Sequence, residues 1–471
     1  MKTLHLTSYW HERSGGIATF YRHLLEAASR HRQSMVLIVP GAKDEVQELG
    51  THCRIYKIAA PASPLNHEYR IIYPREFFLP GSKIQKILAA ERPDLVEICD
   101  KYSLVHLGPL LRMGLARSVD FRPIVVGLTC ERMDENFGVY VSRSWWARVF
   151  TRFYVRNIYF PAFDHHIAIS DNTAAELKEV NANPIVPRGI WLRSMGVDIE
   201  HLSRAKHSPE MRSQLLDRCS APQNSTLLLY VGRLAAEKNL DLLIATMAEL
   251  KKSAQDFRLL LVGHGSARER LQRAAQTLVP GHVAVLGHIG DREQLARVYA
   301  NSDVFVHPNP TEPFGIAPLE AMASGLPLVA PDRGGVTSYA NDTNAYLIPP
   351  TPHDFARAIV SACQDQPARA LKVRAARQTA ESFAWPKVTD SFLGLYEELY
   401  RLGAGQISLK DAQPAFVSPA ATVGHAGRLR FAANLAQAAF WAYVRAHDLV
   451  RATKFHDRTE YDTELKGIQS Q

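Results

Sequence analysis

Two successive series of short apolar runs, each followed by a loop and a helix-length segment, constrain this 471-residue chain most. The first series is Leu4-His5-Leu6, then residues 35–39, 94–98 and 124–128, with helical patterns from Gly16 to about Ser29 and over 84–90. The second runs through 227–231, 258–262, 283–286, 304–306 and 328–330. Strand-helix alternation of this kind predicts a parallel sheet with helices on both faces. Two series predict two such α/β domains, and a chain of this length is too long for one core. Between them, residues 184–209 carry Pro184, Pro187, Gly189, Gly196 and Pro209 and read as an irregular crossover. The expected division is 1–198, 199–384, a closing helix at 385–402 and an extension over 403–471.

Ligands of open α/β sheets bind beyond the carboxyl ends of the strands, so the loops there are the candidate site. After Val304-Phe305-Val306 comes Glu312-Pro313-Phe314-Gly315-Ile316-Ala317-Pro318-Leu319-Glu320. Pro318 suits a first helical turn and Gly325 can stop the helix. Gly315 allows close backbone approach, and the free N–H groups of the first turn favour an anion. Two carboxylates, Glu312 and Glu320, flank that turn, which suits a sugar nucleotide; the plainer alternative is a βα loop with two solvated acids. Gly15-Gly16 opens the first helix of the chain. Arg233 and Lys238 follow strand 227–231, where two cations suit a diphosphate. In the first half, Asp100 and Lys101 end one strand. Glu131, Arg132 and Asp134 follow another and form a polar cluster on which a substrate can lie, or a solvated loop.

Composition removes several classes. The balance is 55 basic to 47 acidic residues, a charge of +8 that suits phosphorylated substrates or an anionic membrane surface. There is no arginine-rich tract or nucleic-acid motif, so nucleic acid is not an expected partner. The five cysteines are scattered without a C-x-x-C, which argues against a disulfide framework or zinc site and for a reducing compartment. No run approaches the roughly 20 apolar residues of a spanning helix. The expected location is cytoplasmic, with attachment to the inner face of the plasma membrane allowed.

Two segments keep a membrane reading open. Residues 140–160 hold no acid, place Arg143, Arg148, Arg152 and Arg156 on one helical face, and fill between them with Trp145, Trp146, Phe150, Phe153, Tyr154, Tyr159 and Phe160. The choice is an interfacial helix or a domain helix with its aromatics in the core. Residues 428–454 read as a second basic amphipathic helix, suited to membrane, to docking on the first domain or to oligomers.

These motifs together resemble the GT-B-fold, retaining glycosyltransferases of family GT4 (glycosyltransferase group 1), over about residues 3–402. Glu312 and Glu320 match the E-x7-E motif, and Gly232 to Lys238 match Gly-Arg-Leu-x-x-Glu-Lys. Gly15-Gly16 falls at the N-terminal glycine loop, and Met195-Gly196-Val197-Asp198 stands for Asn-Gly-Val-Asp. Within the family the chain looks most like mannosyltransferases that use GDP-mannose on phosphatidylinositol mannosides or related glycolipids. The resemblance implies two Rossmann-like domains with a cleft between them and a nucleotide-sugar donor, GDP-mannose or a UDP-sugar. It implies that Arg233 and Lys238 bind the diphosphate and that Glu320 holds the ribose. Glu312 with the backbone of Phe314, Gly315 and Ile316 would position the sugar, and Gly15 and Gly16 would close over the phosphates. Many members carry a histidine after the fourth N-domain strand. Here Thr129-Cys130-Glu131 stands there, so Glu131 or Asp134 replaces it or acceptor contacts differ. The expected reaction is transfer of a hexose, mannose favoured, to a glycolipid or polysaccharide. With no Asp-x-Asp pair, no metal or other cofactor is expected. Other readings are a GT-B epimerase or phosphorylase, or a non-catalytic sugar-nucleotide sensor.

Overall fold

The computed structural model describes residues 1–10, 15–63, 69–140, 142, 144–180 and 188–418. They form two sheets, of nine and six strands. In the first, Lys2–Thr7 lies at the centre, paired in parallel with Ser34–Gly41 on one side and Leu95–Cys99 on the other. Ile124–Thr129, His165–Ala168 and Gly189–Leu192 continue beyond Leu95–Cys99, all parallel. In the second, Thr226–Val231 pairs with Phe257–Val262 and Val304–Val306. Val283–Gly287 closes one edge, while Leu328–Pro331 and Tyr346–Ile348 close the other, again all parallel. Helices cover both faces, so the central strands are apolar without alternation. All of Leu227, Leu228, Leu229 and Tyr230 are buried.

The helix Gly16–Arg30 buries Phe20, Tyr21, Leu24, Leu25, Ala27 and Ala28, the three-and-four spacing of one face. The chain's last long helix, Trp385–Gly403, returns from the second sheet to pack on it. Phe392 meets Phe20 with ring centres 4.7 Å apart, and Trp385 stacks on His23 at 4.5 Å. Beneath them a buried Glu97 accepts hydrogen bonds from Tyr21 (2.9 Å) and Tyr396 (2.7 Å) and contacts His5 (2.9 Å). The two crossings between the halves run side by side: Val197 donates to the Phe383 carbonyl and Trp385 donates back to the Val197 carbonyl. Gly196 is required there, because a Cβ would run into the Trp385 indole.

Two expectations change, and one pair of strands is new. The stretch expected to be irregular contains the strand Gly189–Leu192; its three apolar residues, Ile190, Trp191 and Leu192, are too few to stand out between prolines. The antiparallel edge pair Glu45–Leu49 and Cys53–Ala59 was not legible, since the outer strand is almost wholly polar and exposed. Residues 140–160 are not one helix: Met133–Tyr140 ends, and Trp145–Tyr154 begins anew behind Ser144, continuing into a π-helical turn over Val155–Tyr159. The start of the extension adds an edge strand, Phe416–Val417, antiparallel to the strand Gly189–Leu192. Arg143 and the helix expected over 428–454 lie outside the described residues. No described helix is long and apolar enough to cross a membrane.

Candidate active site

The loop after Val304–Val306 is held by its own backbone. Gly315 takes a left-handed conformation (φ 86°) just before the helix Ile316–Ala323, and its carbonyl accepts a 2.5 Å bond from the Tyr339 hydroxyl. Gly335 donates to the Glu312 carbonyl at 2.6 Å, an approach that a Cβ would block by striking the Pro313 carbonyl. Phe314 is buried against Tyr339, ring centres 5.1 Å apart. Its side chain therefore anchors the loop, and only its backbone is available to a ligand.

On this loop Glu312 meets Lys238, whose Nζ lies 2.9 and 2.8 Å from the two carboxylate oxygens, while Asn309 Nδ2 donates to one of them at 2.9 Å. Burial by itself would raise the Glu312 carboxyl. The Lys238 ammonium, His307 and the hydrogen bonds from Lys238 and Asn309 outweigh it and hold the pKa at about 2. His307 is buried at the strand end, and burial pushes it down to about 4, so it is neutral at pH 7. Glu320 accepts a 2.8 Å bond from Tyr299, and burial raises its carboxyl above the usual range. Arg233 pairs with Glu237 at 2.7 Å and places its guanidinium 5.9 Å from the ring of Tyr69, a residue of the first half.

The first half closes on the same loop. Gly16, at the start of its helix, lies so near Ile316 that an added Cβ would stand 2.9 Å from Ile316 Cδ1. That helix has no acidic residue in its first turn and no side-chain cap, so its N-terminus is a ready anion site at the loop. Ser170 Oγ donates to the Pro313 carbonyl (2.5 Å), and Asp171 N donates to Ser338 Oγ (3.1 Å). The sequence-derived residues Gly15, Gly16, Lys238, Glu312, Gly315 and Ile316 thus come together at one place, with Arg233 and Glu320 on the flanking elements.

The two carboxylates proposed on the acceptor side separate. Glu131 accepts from the Tyr9 hydroxyl (2.7 Å) and from Asn136 (2.6 Å), and burial raises its carboxyl. Asp134 is bound in bidentate fashion by Arg132 (3.0 and 2.8 Å), which overcomes the effect of burial and lowers its carboxyl. Arg132 also grips Glu179, so Asp134 serves to tie two helices together. Lys101 is buried against Glu176 and donates to the Glu131 carbonyl (2.5 Å), a structural role. Among the described residues, no three His, Cys, Asp or Glu side chains gather where they could hold a metal.

Comparison with known proteins gives the family and the fold. Residues 14–194 match the sequence family described as Glycosyltransferase Family 4, and residues 214–379 match Glycosyl transferases group 1. A GDP-mannose-dependent alpha-mannosyltransferase of Mycolicibacterium smegmatis is 30% identical over 338 residues, covering 71% of this chain and 80% of that protein. The chain belongs to the group 1, family 4 glycosyltransferases. A GDP-mannose-dependent alpha-(1-6)-phosphatidylinositol dimannoside mannosyltransferase of Mycobacterium tuberculosis is 29% identical, over 83% of this glycosyltransferase and 95% of that protein. Sucrose-phosphate synthase from Thermosynechococcus elongatus shares the fold with a TM-score of 0.67 at 23% identity, covering 85% of this chain and 99% of that one. Anabaena HepE, solved with UDP-glucose, does so with a TM-score of 0.61 at 17% identity, covering 84% and 99%. The architecture is GT-B.

Sequence reasoning missed the residues that set the charge states of this glycosyltransferase. Asn309 and His307 sit beside Glu312, Tyr299 holds Glu320, and Tyr9 and Asn136 hold Glu131. Asn309 was within reach, since a polar residue three before Glu312 in a strand-end loop is a candidate partner. Tyr9 and Tyr299 were not, because each lies on a separate element. Asp198 caps the turn over Glu200 and His201 through its own carboxylate. Its charge also adds to the rise at Glu320.

Proposed function

We propose that this glycosyltransferase moves a hexose, mannose by preference, from a nucleotide diphosphate sugar to a glycolipid or polysaccharide, with retention at the anomeric carbon and without a metal. The observation that carries the reading is the Lys238–Glu312 pair, set in a glycine-bearing loop against the N-terminus of the helix Gly16–Arg30. A donor diphosphate entering there meets Lys238 as a point charge, Arg233 as a fork, and backbone N–H groups of two helix starts. Negative charge grows on that diphosphate as the glycosidic bond breaks, and these groups stabilise it in place of a cation. Glu312 stays ionised at neutral pH and steadies positive charge on the sugar ring. Glu320 accepts from the ribose hydroxyls. Glu131, raised by burial, is the better placed acceptor-side carboxylate, because Asp134 is committed to Arg132.

The GDP-mannose dependence of the mycobacterial relatives supports the mannose preference, and the named lipid substrate of one supports a glycolipid acceptor. The test is a thermal-shift series with GDP-mannose, UDP-glucose and ADP-glucose, followed by transfer to a phosphatidylinositol mannoside and anomeric analysis of the product. We expect GDP-mannose to raise the melting temperature most. A shift with UDP- or ADP-glucose alone would overturn the donor reading. An inverted product would overturn retention, and a rearranged sugar nucleotide in the absence of acceptor would point to an epimerase.

A further inference from the structure

We propose that the helix Trp145–Tyr154 is a docking face for an anionic lipid bilayer. The helix buries Ala147, Thr151 and Tyr154, one narrow stripe. Trp145 (74% exposed), Trp146 (48%), Val149, Phe150 and Phe153 are all exposed, Trp146 and Phe150 with one edge against Phe137. No ten-residue stretch elsewhere in the described chain exposes more than two large apolar side chains, whereas this helix exposes five. At about 100° per residue these five occupy the sector between the buried stripe and a stripe of arginines. Arg148, Arg152 and Arg156 are exposed, and among the described residues none of them has a carboxylate partner. No acid occurs anywhere in 140–160.

Aromatic rings beside arginines without a carboxylate partner match one occupant better than the rest; among the described residues, Arg152 reaches only the Glu179 backbone carbonyl. A bilayer interface takes Trp and Phe to the acyl boundary and leaves arginine heads among anionic phosphates. A second copy of this chain, stacked on the same face about a two-fold axis, would bring together two sets of arginines from segments that themselves carry no acid. The position supports the bilayer as well. The helix Met133–Tyr140 touches both the helix Trp145–Tyr154 and the Ala236–Lys238 turn of the second half. A docked bilayer would thus lie one helix away from the turn that carries Lys238. Binding does not depend on the lipid-acceptor reading; only its benefit to transfer rests on that reading.

The test is co-sedimentation of the full chain with vesicles of phosphatidylcholine alone or mixed with phosphatidylglycerol, at low and high salt. We expect binding to the mixed vesicles only, weakened by salt. Each of Arg148→Gln and Arg152→Gln should lower the partition coefficient about fivefold. Trp145→Ser with Trp146→Ser should lower it about tenfold or more. An unchanged nucleotide-sugar thermal shift in each variant controls for folding. Failure of the wild type to bind mixed vesicles at low salt would overturn the proposal. So would full binding by the variant carrying both Trp145→Ser and Trp146→Ser, which would assign lipid contact to another segment. Self-association of the wild type that is lost in these variants would overturn it too, by giving the face to a second copy.

Discussion

Removal of the Lys238 charge tests the centre of the site. The Glu312 carboxyl sits at about 2 against an ordinary 4.5. At about 1.4 kcal/mol per pH unit, that difference corresponds to roughly 3 kcal/mol favouring the ionised form. Only 14% of the Glu312 side chain and 16% of that of Lys238 are exposed, so solvent screens the pair little. Lys238→Met leaves Glu312 with only His307 and the Asn309 hydrogen bond, and burial, the largest influence on this carboxyl, then drives it above its ordinary value. A depressed carboxyl contributes stability that is present above pH 4.5 and is lost as pH falls through about 2, so the wild type should be insensitive at this group from pH 5 to 8. In the variant the sign reverses, and stability should rise as the pH is lowered from 8 to 5. At pH 7 the single variant should lose about 3 kcal/mol, and Glu312→Gln added to it should recover most of that loss. The assay is urea unfolding of the wild type, both single variants and the double variant, read as a cycle. We expect a coupling of about 2 kcal/mol or more; a coupling below about 0.5 kcal/mol would refute the reasoning. Turnover should fall about a hundredfold in Lys238→Met and stay low in the double variant, because the diphosphate loses its cation in both.

The remaining predictions concern neighbouring groups. Arg233→Ala should lower turnover about a hundredfold with little change in melting temperature, measured by initial rates at saturating donor. Glu320→Ala should weaken donor binding about tenfold or more in calorimetric titration, with less effect on turnover. Gly16→Val should clash with Ile316 and slow transfer, and Ile316→Ala should restore part of the rate; equal rates in Gly16→Val and the wild type would mean that the two halves do not close there. Glu131→Gln should change the acceptor KM or the pH profile of transfer while leaving the donor-induced thermal shift intact.

Much of the fold was readable because its central strands are buried on both faces, so their apolar runs are unbroken. What escaped lay at the sheet edges or just inside them: the polar strand Glu45–Leu49, the two-residue Phe416–Val417 and, next to it, the short strand Gly189–Leu192. Edge strands need only one apolar face, or none, and carry a weak periodic signal. Residues 140–160 show the same limit. Their composition permitted an interfacial or a core helix, and the exposure of Trp145 and Trp146 beside buried Tyr154 and Tyr159 was settled by packing.

At the site, the chemical inventory came from sequence alone: Glu312, Glu320, Arg233, Lys238 and the two glycines each follow a strand, and strand ends of parallel sheets converge on one edge. Folding decided what each group does. Lys238 is bound to Glu312, Arg233 to Glu237, and Asp134 to Arg132, while Glu131 is kept by Tyr9 from another strand's end. A chain's pattern records which residues follow which element, because that depends on neighbours a few positions away. Charge state and partner depend on groups brought in from distances such as the 74 residues between Lys238 and Glu312. Only tertiary packing sets those distances, and with them the burial that moves a carboxyl up or down.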